Sequence, residues 1–169
     1  RDLGAAIPVF EDLPENRLGL DIRYDGIIGL WFEGAFIHKS CDLGKLTNQE
    51  IMNFGMDYTF GVGNGLYIMA EQLVFSTDTK VFGFEQPLYF TALNATYPIG
   101  IADNVSTIFY YDWKNKNTYR FVNWNHTAGN FNFYVMAFWN PENYSLPVDG
   151  GGTSLFAGPG VQLMLVYNH

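Results

Sequence analysis

Segments in which polar and apolar residues alternate fill this chain from residue 18 onward, and the connections between them are alternately tight and long. Asp25-Gly26 is followed by the polar loop Ser40 to Gln49, and Gly63-Asn64-Gly65 by the loop Ser76 to Gln86. Next come Tyr97 to Asp103, the short Lys114 to Asn117, His126 to Asn130, and finally Pro141 to Pro159. Each antiparallel strand returns the chain to the opposite end of a sheet, so this rhythm gathers tight turns at one rim and long loops at the other. The expected fold is therefore all-β, an antiparallel up-and-down barrel. Asp25-Gly26 and Asn64-Gly65 are expected to form type I′ hairpin turns, because Gly and Asn tolerate positive φ.

Two-residue periodicity identifies strands with one apolar side. Leu18, Leu20, Ile22 and Tyr24 oppose Asp21, Arg23 and Asp25; Met52, Phe54, Met56, Tyr58 and Phe60 oppose Asn53, Gly55, Asp57 and Thr59. Val161, Leu163, Leu165 and Tyr167 oppose Gln162, Met164, Val166 and Asn168. Further strands are expected at Ile28 to His38, Leu66 to Phe75, Leu88 to Thr96, Asn104 to Asp112, Thr118 to Asn125 and Phe131 to Asn140. In Leu66 to Phe75, Glu71 stands among Tyr67, Met69 and Leu73, which leaves the apolar side of that strand undecided. These segments run to about ten residues, the length a tilted strand needs to cross a bilayer, whereas strands of globular proteins cluster near five or six.

Composition narrows the field. Aromatic residues make up 18 % of the chain and Gly occurs 18 times, yet the mean hydropathy is −0.03, so apolar and polar residues are interleaved rather than segregated. No apolar run approaches the roughly 18 residues of a membrane helix. A net charge of −8 argues against a Lys/Arg footprint for nucleic acid. The single Cys41 cannot form an internal disulfide, and there is no signal-peptide pattern at the start. The three histidines, His38, His126 and His169, have no metal-ligand spacing and no Ser-His-Asp grouping is legible, so no metal, cofactor or catalytic group is expected. Gly61-Val62-Gly63-Asn64-Gly65 lacks the Lys-Ser/Thr of a phosphate loop and reads as a turn. Sequons begin at Asn94, Asn104, Asn125 and Asn143, a feature that favours a secreted soluble domain.

Aromatic residues cluster at strand ends. Tyr24, Tyr58, Tyr67, Trp124 and Tyr167 fall near the tight-turn rim, and Trp113 and Trp139 near the loop rim. Amphipathic rings are most stable half wet, at the headgroup level of a bilayer. With the hairpins Leu18 to His38 and Ile51 to Phe75, the hairpin around Tyr119-Arg120-Phe121-Val122-Asn123-Trp124 and Phe131 to Trp139, and the last strand Val161 to Tyr167, the chain resembles the C-terminal part of a Gram-negative outer-membrane β-barrel of the porin-like kind. The likeness is architectural and covers nearly everything after residue 17. Two features depart from the family pattern: the last residue is His169 rather than an aromatic, and nine strands are counted where bacterial barrels have even numbers. Residues 1–17 are therefore expected to be an external loop or linker, with the nine strands completing a larger barrel.

The resemblance implies a porin-like channel for passive passage of small polar solutes or ions, located in the bacterial outer membrane. Outer-membrane lipid, small solutes and neighbouring membrane-protein subunits are the expected partners. The residues expected to line the lumen are Asp21, Arg23, Glu33, Asn53, Asp57, Arg120 and Asn123, with acids outnumbering bases and a mild cation preference in consequence. The expected lipid-interface aromatics are Tyr24, Tyr58, Tyr67, Trp113, Trp124, Trp139 and Tyr167. Two other readings compete. One is a non-conducting structural or partner-binding barrel; the other is a soluble aromatic-rich β-sandwich that binds or cleaves carbohydrate, with Glu33 and Glu71 as its carboxylate pair. The Pro141 to Pro159 loop, which carries Gly150-Gly151-Gly152, is expected either to fold inward as a constriction or to pack against a neighbour.

Overall fold

The computed structural model describes residues 13–142 and 155–168. Nine strands, β1 (Glu15–Asp25), β2 (Gly29–Lys39), β3 (Asn48–Phe60), β4 (Leu66–Asp78), β5 (Leu88–Pro98), β6 (Asp103–Asp112), β7 (Asn117–Ala128), β8 (Phe131–Trp139) and β9 (Pro159–Tyr167), form one sheet in sequence order. Every neighbouring pair is antiparallel. Among the described residues there is no α-helix, only a single 3-10 turn at Gly44–Leu46, and no helix long and apolar enough to cross a membrane. The sheet is open: β1 pairs only with β2 and β9 only with β8. Because the strands lie in a single sheet rather than in two facing ones, the architecture is an up-and-down meander and not a sandwich.

The connections divide as the turn chemistry implies. Residues 26–28, 61–65, 99–102 and 129–130 join strands at one rim; residues 40–47, 79–87, 113–116 and 140–158 join them at the other. The type I′ expectation fails in detail: neither Gly26 nor Asn64 has a positive φ, and the connections there are three and five residues long rather than two. The two-residue turn is Gly129-Asn130, where Gly129 takes φ 58°.

Several strands extend beyond their alternating segments. β3 begins at Asn48 and β4 runs to Asp78, so Asn48, Glu50, Ser76 and Asp78 stand on the otherwise apolar side. Polar residues at those positions break the alternation and read as loop. They are tolerated because residues 79–87 fold over them. Phe82 N–H donates to Glu50 Oε1 at 2.9 Å, the Asn48 amide donates to Thr79 O at 3.0 Å, and the Phe82 ring stacks on Phe36. Phe82 and Phe84 both adopt positive φ, 55° and 47°, a backbone strain that the fixed cap must offset.

Expectations for residues 1–12, for the glycine run at 150–152 and for the sequon at Asn143 lie outside the described residues, as does His169. Of the expected external loop at 1–17, Glu15, Asn16 and Arg17 belong instead to β1, held in register with Lys39, His38 and Ile37. The sequons at Asn94, Asn104 and Asn125 fall within strands, where no acceptor loop is presented.

Candidate functional site

Register decides which side chains share a face, because directly paired residues point the same way and neighbours along a strand point opposite ways. Tracing the pairs across the sheet gives one face built from Ile22, Phe32, Phe54, Gln72, Thr91, Tyr111 and Thr118 in a single row. Nearer the tight-turn rim the same face carries Val105, Trp124, Val135 and Leu163. The three apolar sets read from the alternation, Leu18 to Tyr24, Met52 to Phe60 and Val161 to Tyr167, all lie on this apolar face. It is open to the surroundings: Leu18 is 70 % exposed, Phe54 50 % and Phe133 40 %. Only Tyr119 and Phe138 are buried apolar residues among those described, and both belong to the other face.

Charge is confined to the two ends of the apolar face. Glu50, Asp78 and Arg120 stand at the long-loop end and Asp103 at the tight-turn end. Between these ends the polar side chains are satisfied internally. Trp113 Nε1 donates to Thr91 Oγ1 at 2.8 Å, Thr91 donates to Gln72 Oε1 at 2.6 Å, and the Gln72 amide donates to Phe90 O at 3.0 Å. Thr107 donates to Phe121 O. Aromatic rings flank the band: Tyr24, Tyr58, Trp124 and Tyr167 at the tight-turn end, Trp113 and Trp139 at the other. Trp124 Nε1 donates to Asp103 Oδ1 at 3.0 Å, and His126 Nδ1 lies 2.9 Å from the same oxygen.

Register corrects two of the expected assignments. Arg120 pairs with Phe109 and Trp139 and so stands on the apolar face at the long-loop end, not beside Asp21 and Asp57. Tyr67 pairs with Thr59 and Thr96 on the opposite face, the face that also carries Asp57, rather than in the aromatic flank. In both cases apolar side chains on both sides of the strand hide its true phase.

The second face is mixed. Asp21, Arg23, Glu33, Asn53 and Asp57 gather on it across β1, β2 and β3, and Asn123 shares it further away on β7. β4 adds Glu71, whose Oε1 accepts a hydrogen bond from the Asn53 amide at 3.2 Å. Arg23 is held by Asp25 at 2.8 Å and its guanidinium carbon lies 6.0 Å from the Trp31 ring centre. Trp31 itself covers Gly55, the residue directly across from it. A hollow of about 940 Å³ lies on this side, with Asp21, Glu33 and Glu71 on one flank and Phe75, Phe90 and Tyr110 on the other.

From β5 to β9 the middle of the mixed face carries no charge. There Phe156, from the stretch leading into β9, packs on Phe121 and Phe138 with ring centres 5.9 and 5.4 Å apart. Asn140 fixes that stretch: its amide donates to Phe156 O at 2.8 Å and its Oδ1 accepts the Arg120 backbone N–H at 2.9 Å. The base of the 140–158 connection therefore lies against the mixed face. Sequence reasoning missed this aromatic cluster, since only the fold brings Phe121, Phe138 and Phe156 together. Among the described residues no group of His, Cys, Asp and Glu has the geometry to hold a metal. Compared with protein-family models, curated proteins and solved structures, the chain matches none.

Proposed function

We propose that this chain is the wall of an integral outer-membrane β-barrel, with lipid against the apolar face and a water-filled passage along the mixed face, working as a porin-like channel for small polar solutes or ions. The observation that carries this reading is the apolar face itself. It is continuous over nine strands, uncovered except at its long-loop end where residues 79–87 fold over it, free of charge except at its two ends, and edged by Tyr and Trp. On β3 and β4 the apolar stretch runs from Met52 to Phe60 and from Leu66 to Val74. Nine residues at about 3.3 Å each, tilted by about 40°, rise by roughly 23 Å, close to the apolar band of membrane barrels. The internally bonded Gln72, Thr91 and Thr107 fit hydrocarbon, where an unsatisfied polar group costs several kcal/mol.

The contrast between tight-turn and long-loop rims supports an outer-membrane orientation, with residues 40–47, 79–87 and 140–158 outside the cell. A non-conducting barrel is the second reading, and it is favoured by Phe156, which occupies part of the mixed face with Phe121 and Phe138. The test is reconstitution of the intact protein into planar bilayers. Stepwise single-channel currents support the channel, whereas membrane insertion without current leaves the structural barrel. A folded protein that needs no detergent and stays out of membranes overturns both.

A further inference from the structure

We propose that the β6–β7 hairpin holds a phosphate-bearing lipid headgroup in the leaflet at the long-loop rim. Its cationic contacts are Arg120 on the apolar face and Lys114 and Lys116 in the 113–116 connection. The proposal rests on the membrane reading above, and names an anionic lipid where that reading asks only for hydrocarbon.

The first support is an uneven distribution of charge. The chain has a net charge of −8 and nine Lys and Arg residues, yet three of these, Lys114, Lys116 and Arg120, fall in one hairpin. All three are exposed, and among the described residues none forms an ion pair. The nearest acid in sequence does not neutralise them. Asp112 is buried on the mixed face, where its carboxylate accepts the backbone N–H groups of Lys114 and Asn115 at 2.9 and 3.1 Å and the Asn115 amide at 2.6 Å. Glu142, exposed at the start of the last connection, makes no ion pair with them.

The apolar face repeats the asymmetry. Arg120 is the one Lys or Arg that the described strands place on it, directly across from Phe109 and Trp139. The acids at the same end of that face, Glu50 and Asp78, are only 1 % and 2 % exposed and accept backbone N–H groups of the 79–87 loop. At the tight-turn end the charged group is an acid, Asp103, already engaged by Trp124 and His126. An anion arriving from the lipid side therefore meets an open cation on this face at the long-loop rim, and no open carboxylate there. A charged side chain facing lipid is costly at mid-bilayer and tolerated near the headgroups. There the planar guanidinium can bond a phosphate through two N–H groups at once.

Two tryptophans frame the cation. Trp139 stands opposite it, and Trp113 is fixed on the same face by its indole bond to Thr91 and by edge contact with the Tyr111 ring, centres 4.9 Å apart. Both are about half exposed. Indoles settle at headgroup level, which sets Arg120 at the depth of lipid phosphates rather than of acyl chains.

The experiment inserts the intact protein into phosphatidylcholine vesicles containing brominated phosphatidylglycerol or brominated phosphatidylcholine, and reads lipid association from quenching of tryptophan emission. Circular dichroism in the same vesicles verifies insertion of every variant. Phosphatidylglycerol should be preferred. A cation near an anionic headgroup contributes roughly fivefold, so Arg120→Gln should cut the preference about fivefold, and the pair Lys114→Gln and Lys116→Gln at least as much. The three changes together should abolish it. Lys45→Gln, which removes an exposed cation elsewhere on the same rim, should leave it intact. Equal association of the two lipids overturns the proposal, as does a preference that survives the triple change or falls equally with Lys45→Gln. Loss of the preference on adding inorganic phosphate reveals a site for free anions and overturns the lipid assignment. A protein that enters neither vesicle overturns the membrane reading as well, whereas an inserted protein without the preference overturns only this proposal.

Discussion

The indole of Trp31 lies flat over Gly55, its directly opposed partner across β2 and β3, so closely that the space a Cβ at position 55 would need is occupied by the ring. The glycine is exchanged for an aromatic cover, and the cover in turn carries the Arg23 guanidinium. Gly160 under Phe138 repeats the arrangement on the neutral half of the same face. Gly55→Val should therefore displace Trp31 and cost about 1–3 kcal/mol, the usual range for forcing extra atoms into a filled site. A denaturant titration in detergent would register this as a lower midpoint, accompanied by a red shift of tryptophan emission. An unshifted midpoint would show that Trp31 does not rest on Gly55.

Neighbouring residues on β3 separate lipid from water. Phe54 is on the apolar face and Asn53 on the mixed one. Under the membrane reading Phe54→Arg should cost about 2–4 kcal/mol of folding stability in bilayers, while Asn53→Arg should change it by well under half of that. Equal costs, or the reverse order, in a vesicle-refolding titration would remove lipid from the apolar face.

Ion preference follows from where the carboxylates stand. Charge on the mixed face concentrates on β1 to β4, and Asp21, Glu33 and Glu71 share one hollow there. Reversal potentials under a salt gradient should show a preference for cations. The double change Glu33→Gln and Glu71→Gln should move them toward zero, and Arg23→Gln should move them the other way. Insensitivity to all three would place the passage elsewhere.

Asp78 ties the 79–87 loop down at the long-loop end of β4, beyond the apolar band. Its carboxylate is held below the ordinary value of 3.8, chiefly by the Lys80 backbone N–H at 3.1 Å, with the Glu85 N–H at 3.2 Å assisting and burial opposing. A carboxyl group depressed on folding stabilises the fold above its unfolded pKa, and that contribution disappears as pH falls through the folded value. The loop should stay closed from neutral pH down to about pH 4 and loosen only below it. In Asp78→Asn it should be looser at neutral pH and lose this acid transition. Cleavage after Lys80 by a protease active at the pH in question measures both.

Much of the architecture was legible because it is written locally. Alternation with period two at Leu18 to Tyr24 and Met52 to Phe60 marks strands wherever one side is apolar, and the spacing of turn residues marks the two rims. The candidate site was legible in part. Asp21, Arg23, Glu33, Asn53 and Asp57 alternate cleanly against apolar neighbours, so their common face could be read strand by strand. Arg120 and Tyr67 lie in strands where apolar side chains occupy both sides, and there alternation carries no sign. The ends of β3 and β4 were hidden for a related reason: Asn48, Glu50, Ser76 and Asp78 are polar residues sheltered by the 79–87 loop, which is distant in sequence from Asn48 and Glu50.

The order of residues alone determined that this chain makes long antiparallel strands in a meander with one tight rim and one loose rim. Those properties depend on a residue and its nearest neighbours, through side-chain alternation and turn chemistry. Tertiary structure alone decided which residues face each other across the sheet: Arg120 with Trp139, Glu71 with the Asn53 side, Phe156 over Phe121. Register is a property of hydrogen-bonded pairs between strands, and a slip of one residue would move every side chain of a strand to the other face.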